Sequence, residues 1–230
     1  MAGIGERKRV LIVGEVAARS GAARKGEPAR LEHARAHVGA VQQLWKCPLS
    51  DEGYVTERAW ERATLGCCPL HPEGGCGLQR LGTYCRVSPP GARVPRWWCP
   101  AAGVSISLLP SFLAARFSGT LAEVEDVVTA VEDAGGVSGA VDVVHPPDAE
   151  DAITLPSALR SIRRRVATVR AALLAIVTLM PERFSGVAPT LRAMRAALGR
   201  DRVLVVLREI CERHLRALTA PLGFYARGPG

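Results

Sequence analysis

The stretch Cys67-Cys68-Pro69-Leu70-His71-Pro72-Glu73-Gly74-Gly75-Cys76-Gly77, answered by Trp98-Cys99-Pro100, decides how this chain is read. Zinc is held by four Cys or His ligands in a tetrahedron, and two tight turns joined by a β-hairpin deliver such ligands in pairs. Glycine and proline beside the thiols let the backbone turn sharply around an ion. Between the two clusters, Tyr84-Cys85-Arg86-Val87 and Val94 to Cys99 flank Ser88-Pro89-Pro90-Gly91, which predicts a hairpin, and Ser105 to Leu109 predicts a third strand. A sheet this small is marginal unless something staples it.

The first ligand pair is expected from Cys68 with His71 or Cys76. Cys99 opens the second pair, and Ala102 stands where its partner should be. The expected site is therefore Cys68, Cys76 and Cys99, completed by His71 or by Cys85 from the hairpin. Cys47 and Cys211 are isolated and read as ordinary residues. A nucleophilic Cys68–His71 pair is the enzymatic alternative, but catalytic dyads are assembled from distant segments and no third orienting residue accompanies this one.

The chain around this stretch is 230 residues long, 48% hydrophobic and 23% charged, which is ordinary for a globular protein and excludes wholesale disorder and collagen-like repeats. Seven cysteines, an odd number, with no signal-like N-terminus, point to a reducing cytoplasm rather than a disulfide framework. The longest apolar run, Ala171 to Met180, is bounded by Arg170 and Arg183 and is too short for a membrane helix. Only Lys8, Lys25 and Lys46 are lysines; the remaining basic residues are arginines.

Charge is segmented along the chain. Residues 118–152 hold nine acidic and no basic side chains, whereas 153–230 hold 14 basic and 4 acidic ones, and 67–117 hold 5 and 1. Basic segments on either side of an acidic one suit a polyanion partner.

Upstream, Arg9 to Gly14 reads as a strand, Ala29 to Leu44 as a helix through Leu31, Ala34, Val38, Val41 and Leu44, and Tyr54 to Leu65 as a short helix. Gly14, Gly21 and Gly26 make neither GxGxxG nor a phosphate loop. Residues 1–66 thus read as a partly helical, loosely constrained leader. Downstream, Thr120 caps a helix through Leu121, Val124, Val127, Val128 and Val131, with Glu123 closing a capping box and Gly135-Gly136 ending it. A second helix fits Val137 to Val144, stopped by His145-Pro146-Pro147. After an acidic loop at Asp148 to Asp151, a third runs from Thr154 or Pro156 to Met180, with Leu155, Leu159, Ile162, Val166 and Val169 as its apolar stripe. Two more helices are expected at Pro189 to Leu198 and Val203 to Leu218, with Pro221 to Gly230 frayed. The fold class is α+β, mostly α.

From Cys68-Pro69-Leu70-His71-Pro72 through Gly75-Cys76-Gly77, Gly82-Thr83-Tyr84, Pro89-Pro90-Gly91, Arg96-Trp97-Trp98-Cys99-Pro100 and Phe112-Leu113-Ala114-Ala115-Arg116, the chain resembles the zinc-ribbon region at the front of bacterial insertion-sequence transposases and related stand-alone proteins. Leu121 to Arg165 is similar to the helix-turn-helix that follows such a ribbon. Ribbons of this kind carry a Cys or His shortly after the second Cys-Pro, where this chain has Ala101-Ala102-Gly103, and no segment resembles the family's catalytic nuclease domain. The resemblance implies a zinc-ribbon-like domain at 67–117 and a helical domain at 118–230 containing a helix-turn-helix at 121–170.

In such a trihelical unit the third helix enters the major groove. Here that helix carries Arg160, Arg163, Arg164 and Arg165, while the two before it carry no basic residue. Trp97 and Trp98 beside Arg96 offer ring faces for bases, but adjacent strand residues point to opposite faces, so at least one belongs to the core. The expectation is a cytoplasmic, non-catalytic protein that binds double-stranded DNA through Arg160, Arg163, Arg164, Arg165 and Arg96, with Zn²⁺ as its cofactor. The alternatives are a protein-interaction module, self-associating or partner-binding through its C-terminal helices with a vestigial ribbon, and a decayed mobile-element product.

Overall fold

Val41 to Trp45 forms a strand, β1, and not the end of a helix. The computed structural model describes residues 41–146 and 154–224, all within one unit, His37–Gly230. The expected strand at Arg9 to Gly14, the acidic loop at Asp148 to Asp151 and most of the helix expected at Ala29 to Leu44 lie outside the described residues. The apolar positions Val41 and Leu44 satisfy a helical period, yet the segment pairs in parallel with β4, Val104–Pro110, in the register Val41 with Ile106 and Leu44 with Leu109. A partner more than 60 positions away leaves no mark in a local window.

The sheet is completed by the hairpin β2, Gln79–Cys85, and β3, Arg93–Cys99, in the order β1-β4-β3-β2. Residues 41–66 are thus tied to the ribbon-like unit rather than forming a loose leader. After β1, Ser50 caps α1, Asp51–Thr56, by accepting the Gly53 N–H, and a 3-10 turn follows at Ala59–Glu61. Tyr54 is fully buried there, its ring edge-on to Trp45 and Phe112 and its hydroxyl donating to the Arg93 carbonyl at 2.5 Å.

Both faces of the sheet are covered. Trp97, Cys99, Ile106 and Leu108 pack on Ala63, Cys68 and Cys76, while Val94 and Leu109 pack with Leu113 and Ala115. Trp97 is buried and Trp98 half-buried, as the alternation of strand side chains requires.

The helical part begins at α2, Leu121–Asp133. Thr120 accepts the Glu123 N–H at 3.1 Å while the Glu123 carboxylate accepts the Thr120 N–H at 2.7 Å, the expected capping box. Helix α3 is Val137–Val144 and α4 is Leu155–Leu179, which buries Ala158, Ile162, Val166, Val169, Leu173 and Ile176 along one stripe. Helices α2, α3 and α4 pack against one another pairwise. A short α5, Pro181–Phe184, then α6, Leu191–Leu198, and α7, Leu204–Ile210, close the core. The result is a mostly-α α+β fold.

Helix α7 stops well short of Leu218, giving way to a 3-10 turn at Glu212–His214. The chain must fold back there, because Leu215, Leu218 and Leu222 all enter the core and the Phe224 N–H donates to the Leu215 carbonyl. Residues 221–224 are therefore packed, not frayed.

The acids of α2 hold this helical layer together. Glu132 accepts the N–H groups of Leu191 and Arg192 at the start of α6, at 2.9 and 3.0 Å. Glu125, buried, accepts those of Val203 and Leu204 at the start of α7, each at 3.1 Å. A carboxylate at a helix N-terminus satisfies orphan donors and the positive end of the helix dipole together.

Candidate functional site

Cys68, His71, Cys76 and Cys99 converge, with their ligand atoms all within 4.8 Å of one another. Two turns and a strand end bring them there. The His71 N–H donates to the Cys68 carbonyl at 3.1 Å, which folds Pro69 and Leu70 outward and turns both side chains to the same side. Gly74, Gly75 and Gly77 all have left-handed φ, at 87°, 75° and 68°. That conformation costs a residue with a Cβ and lets the chain double back so that Cys76 rejoins the first two ligands. Cys99 ends β3, where the Gly103 N–H closes a turn on its carbonyl at 2.9 Å.

The His71 distances fit a tetrahedral ion. Metal–sulfur and metal–nitrogen bonds of about 2.3 and 2.05 Å at tetrahedral angles place sulfur and nitrogen about 3.6 Å apart. His71 Nδ1 lies 3.6 Å from Cys68 Sγ and 3.4 Å from Cys99 Sγ. The three thiols are buried and His71 is half-buried, beneath Trp97, Ile106 and Leu108.

Burial pushes the Cys68 thiol up, but the His71 ring, the backbone N–H groups of Leu70 and His71 and the Cys99 thiol outweigh it and hold the group at about 6. Cys76 moves the other way, raised by burial first and then by the neighbouring Cys68 and Cys99 thiols. Close-packed thiols favour one thiolate and resist a second, and a cation among them would favour both.

Ala102 stands where a ribbon would place its fourth ligand, and it packs against this cluster as an apolar neighbour. Three ligands come instead from the loop 68–76 and one from the second turn. Both Cys76 and His71 take part. Cys85, the alternative ligand, is exposed at the end of β2 and does not join the cluster.

The expected nucleic-acid residues divide. Arg160, Arg163 and Arg164 are exposed on α4, opposite its buried stripe, while Arg165 is half-buried. The Arg164 guanidinium lies 5.0 Å from the centre of the Phe117 ring, in the loop before α2. None of the four pairs with an acid among the described residues, whereas Arg192, Arg195 and Arg202 pair with Asp133, Glu125 and Asp126 of α2. Arg96 is half-buried on the sheet, its guanidinium over the Tyr84 ring at 5.6 Å, whereas Arg164 stays exposed beside its ring. Arg170, exposed and seven positions beyond Arg163, extends the arginine face and was open to the same helical spacing.

No helix among the described residues is long and apolar enough to cross a membrane. No family model, no curated protein and no solved structure matches the chain.

Proposed function

We propose that the chain is a non-catalytic DNA-binding protein, a transposase-derived ribbon and helix-turn-helix fragment, whose β unit is stapled by zinc and whose α4 lies on the duplex. The observation that carries this reading is the state of the arginines. The α2 acids neutralise Arg192, Arg195 and Arg202, while Arg160, Arg163 and Arg164 stay exposed on one face of α4 with no described carboxylate beside them. Guanidinium forks on a helix face suit phosphates and guanine edges. The pairwise packing of α2, α3 and α4 supports the helix-turn-helix part of the proposal, since two helices scaffold the one that enters the groove.

The donor set supports zinc over harder cations. Three thiolates and an imidazole are soft and borderline ligands, and four protein ligands leave no open position for a substrate, which is the pattern of a structural site.

Duplex affinity measured against salt tests the reading. Each phosphate neutralised contributes about 0.9 to the log-log slope. Replacing Arg160, Arg163 and Arg164 together by Ala should flatten the slope by up to about 2.7 if all three meet phosphates. An unchanged slope in the folded variant removes α4 from the interface. Metal analysis should give about one zinc per chain, lost in Cys99→Ser.

A second reading rests on the far half of α4, where Leu174 is 57% and Leu179 37% exposed. There the helix covers a protein partner, and that association is insensitive to the arginine substitutions.

A further inference from the structure

Among the described residues only Arg58 and Arg116 take a left-handed backbone without being glycine, at φ of 50° and 58°. Arg58 stands at the start of the 3-10 turn Ala59–Glu61 and pairs with Glu61 at 2.6 Å. Arg116 is exposed and makes no hydrogen bond or ion pair with a described residue, yet it sits in one of the most firmly held loops of the molecule.

That loop joins the sheet to α2. Leu113 bridges Thr120 as an isolated β-pair, the Ala114 N–H donates to the Gly119 carbonyl at 3.1 Å, and the Ala115 N–H to the Pro221 carbonyl at 2.9 Å. Arg86 reaches from beyond β2 to donate to the carbonyls of Ala114 and Phe117, and Arg208 donates to that of Leu113. Phe117 is the ring under Arg164 of α4. The loop therefore abuts the arginine face of α4, and Arg116, exposed within it, is a cation held in a conformation that disfavours side chains.

We infer that Arg116 is a second element of the duplex surface, a rigidly presented arginine that grips a DNA phosphate beside the groove occupied by α4. The inference rests on the DNA-binding reading of α4 and extends it to a residue outside the helices. A recognition helix needs flanking contacts to fix its register, and such contacts go to phosphates from loops and strand ends rather than to base edges. A pinned backbone lowers the conformational cost of making that contact. The left-handed φ marks where the loop orients the side chain at the expense of local comfort.

The test uses the full zinc-loaded chain and several duplexes of unrelated sequence. Arg116→Gly relieves the backbone while removing the cation, and Arg116→Asn does the same with a residue that tolerates the left-handed region. Both variants should melt at the same temperature as the parent or higher, and both should lower the salt slope by about 0.9, with equal loss of affinity on every duplex sequence. Arg116→Lys should keep the slope. A slope unchanged in Arg116→Gly and Arg116→Asn, while the triple α4 variant loses its share, overturns the role of Arg116 and leaves α4 in place. Absence of duplex binding by the parent chain overturns both proposals.

Discussion

The Glu125 carboxylate lies 3.0 Å from the guanidinium of Arg195, joining the acidic α2 to the basic α6 in a partly buried pair. Their sequence separation is 70, so the segmental charge pattern of the chain is in part an instruction for internal pairing. Glu125 does more than pair. It also caps α7 through the Val203 and Leu204 N–H groups, so one carboxylate fixes two helices against a third.

Removing that carboxylate should be costly. Glu125→Ala leaves two helix N–H groups without their acceptor and Arg195 with only the Thr129 hydroxyl, and breaking a buried pair from one side costs roughly 3–5 kcal/mol. The Arg195 side chain is 27% exposed, which places the expected loss near the lower end. Arg195→Ala should cost less, because Glu125 keeps its backbone donors. Urea denaturation measures both, and a Glu125→Ala variant within about 0.5 kcal/mol of the parent contradicts this account, that being the range of surface substitutions.

Arg208 is buried without a carboxylate partner among the described residues. Its guanidinium donates to the carbonyls of Ser111, Leu113, Pro221 and Leu222, which ties the end of β4 and the following loop to the C-terminal turn. Burial, and then the nearby Arg86, push its titration down to about 9. Arg208→Met should leave these carbonyls without the donor they share, at roughly 1–3 kcal/mol for each that stays buried and unpaired. Such a sum exceeds much of a domain's total stability of about 5–15 kcal/mol. The variant is expected to lose its cooperative unfolding transition in circular dichroism, and a sharp transition at the parent temperature would show that the clamp is dispensable.

The Cys68 thiol gives the metal-free protein a pH dependence with a definite sign. Its folded value, about 6, lies below the ordinary value of 9, so the folded state favours the thiolate. The stability this contributes is fully present above 9 and is lost as pH falls toward 6. Thermal melts of chelator-treated protein should fall across that window, and Cys68→Ser should flatten the fall. With zinc bound the same group should resist protonation to lower pH, since the ion competes with the proton. Melts that rise on acidification through this window would refute the assignment.

The parts of this molecule written in short-range pattern were legible. The Thr120–Glu123 box stands as read, the stripe of α4 holds at Ile162, Val166 and Val169 while Leu155 is exposed, and the hairpin forms with its first strand at Gln79–Cys85, earlier than Tyr84 to Val87. Strand pairing across distance was not. Val41 to Trp45 satisfies a helical period and becomes a strand only because β4 offers it a parallel edge. The early end of α7 is equally remote in origin, since it follows from the return of Leu218 and Leu222 to the core. The residues of the candidate metal site were legible as a set, but the choice between His71 and Cys85 needed the turn that aligns His71 with Cys68. Arg116 carried no signal at all, because nothing in Ala115-Arg116-Phe117 announces a left-handed φ.

The three-plus-one ligand arrangement makes a sharper prediction than zinc content alone. Cys76 supplies the ligand that the second turn lacks, and Ala102, three positions after Cys99, sits against the same cluster. The two positions are therefore rivals for one corner of the tetrahedron. Cys76→Ala should leave three ligands and lower zinc affinity, because an open corner filled by water loses a thiolate bond and admits solvent to the site. Adding Ala102→Cys to that variant should restore binding, since residues three apart across a tight turn can present their ligand atoms together, as Cys68 and His71 do at 3.6 Å. Competition with a chelator of known affinity reads both variants. Cobalt substitution gives a second measure, because a tetrahedral site with three thiolates absorbs differently from one with two. Restored affinity and a three-thiolate spectrum in the double variant would establish that the loop 68–76 has taken over a role the second turn can still perform. Failure of the double variant, with Cys76→Ala binding as weakly as before, would mean that the backbone after Cys99 directs position 102 away from the ion.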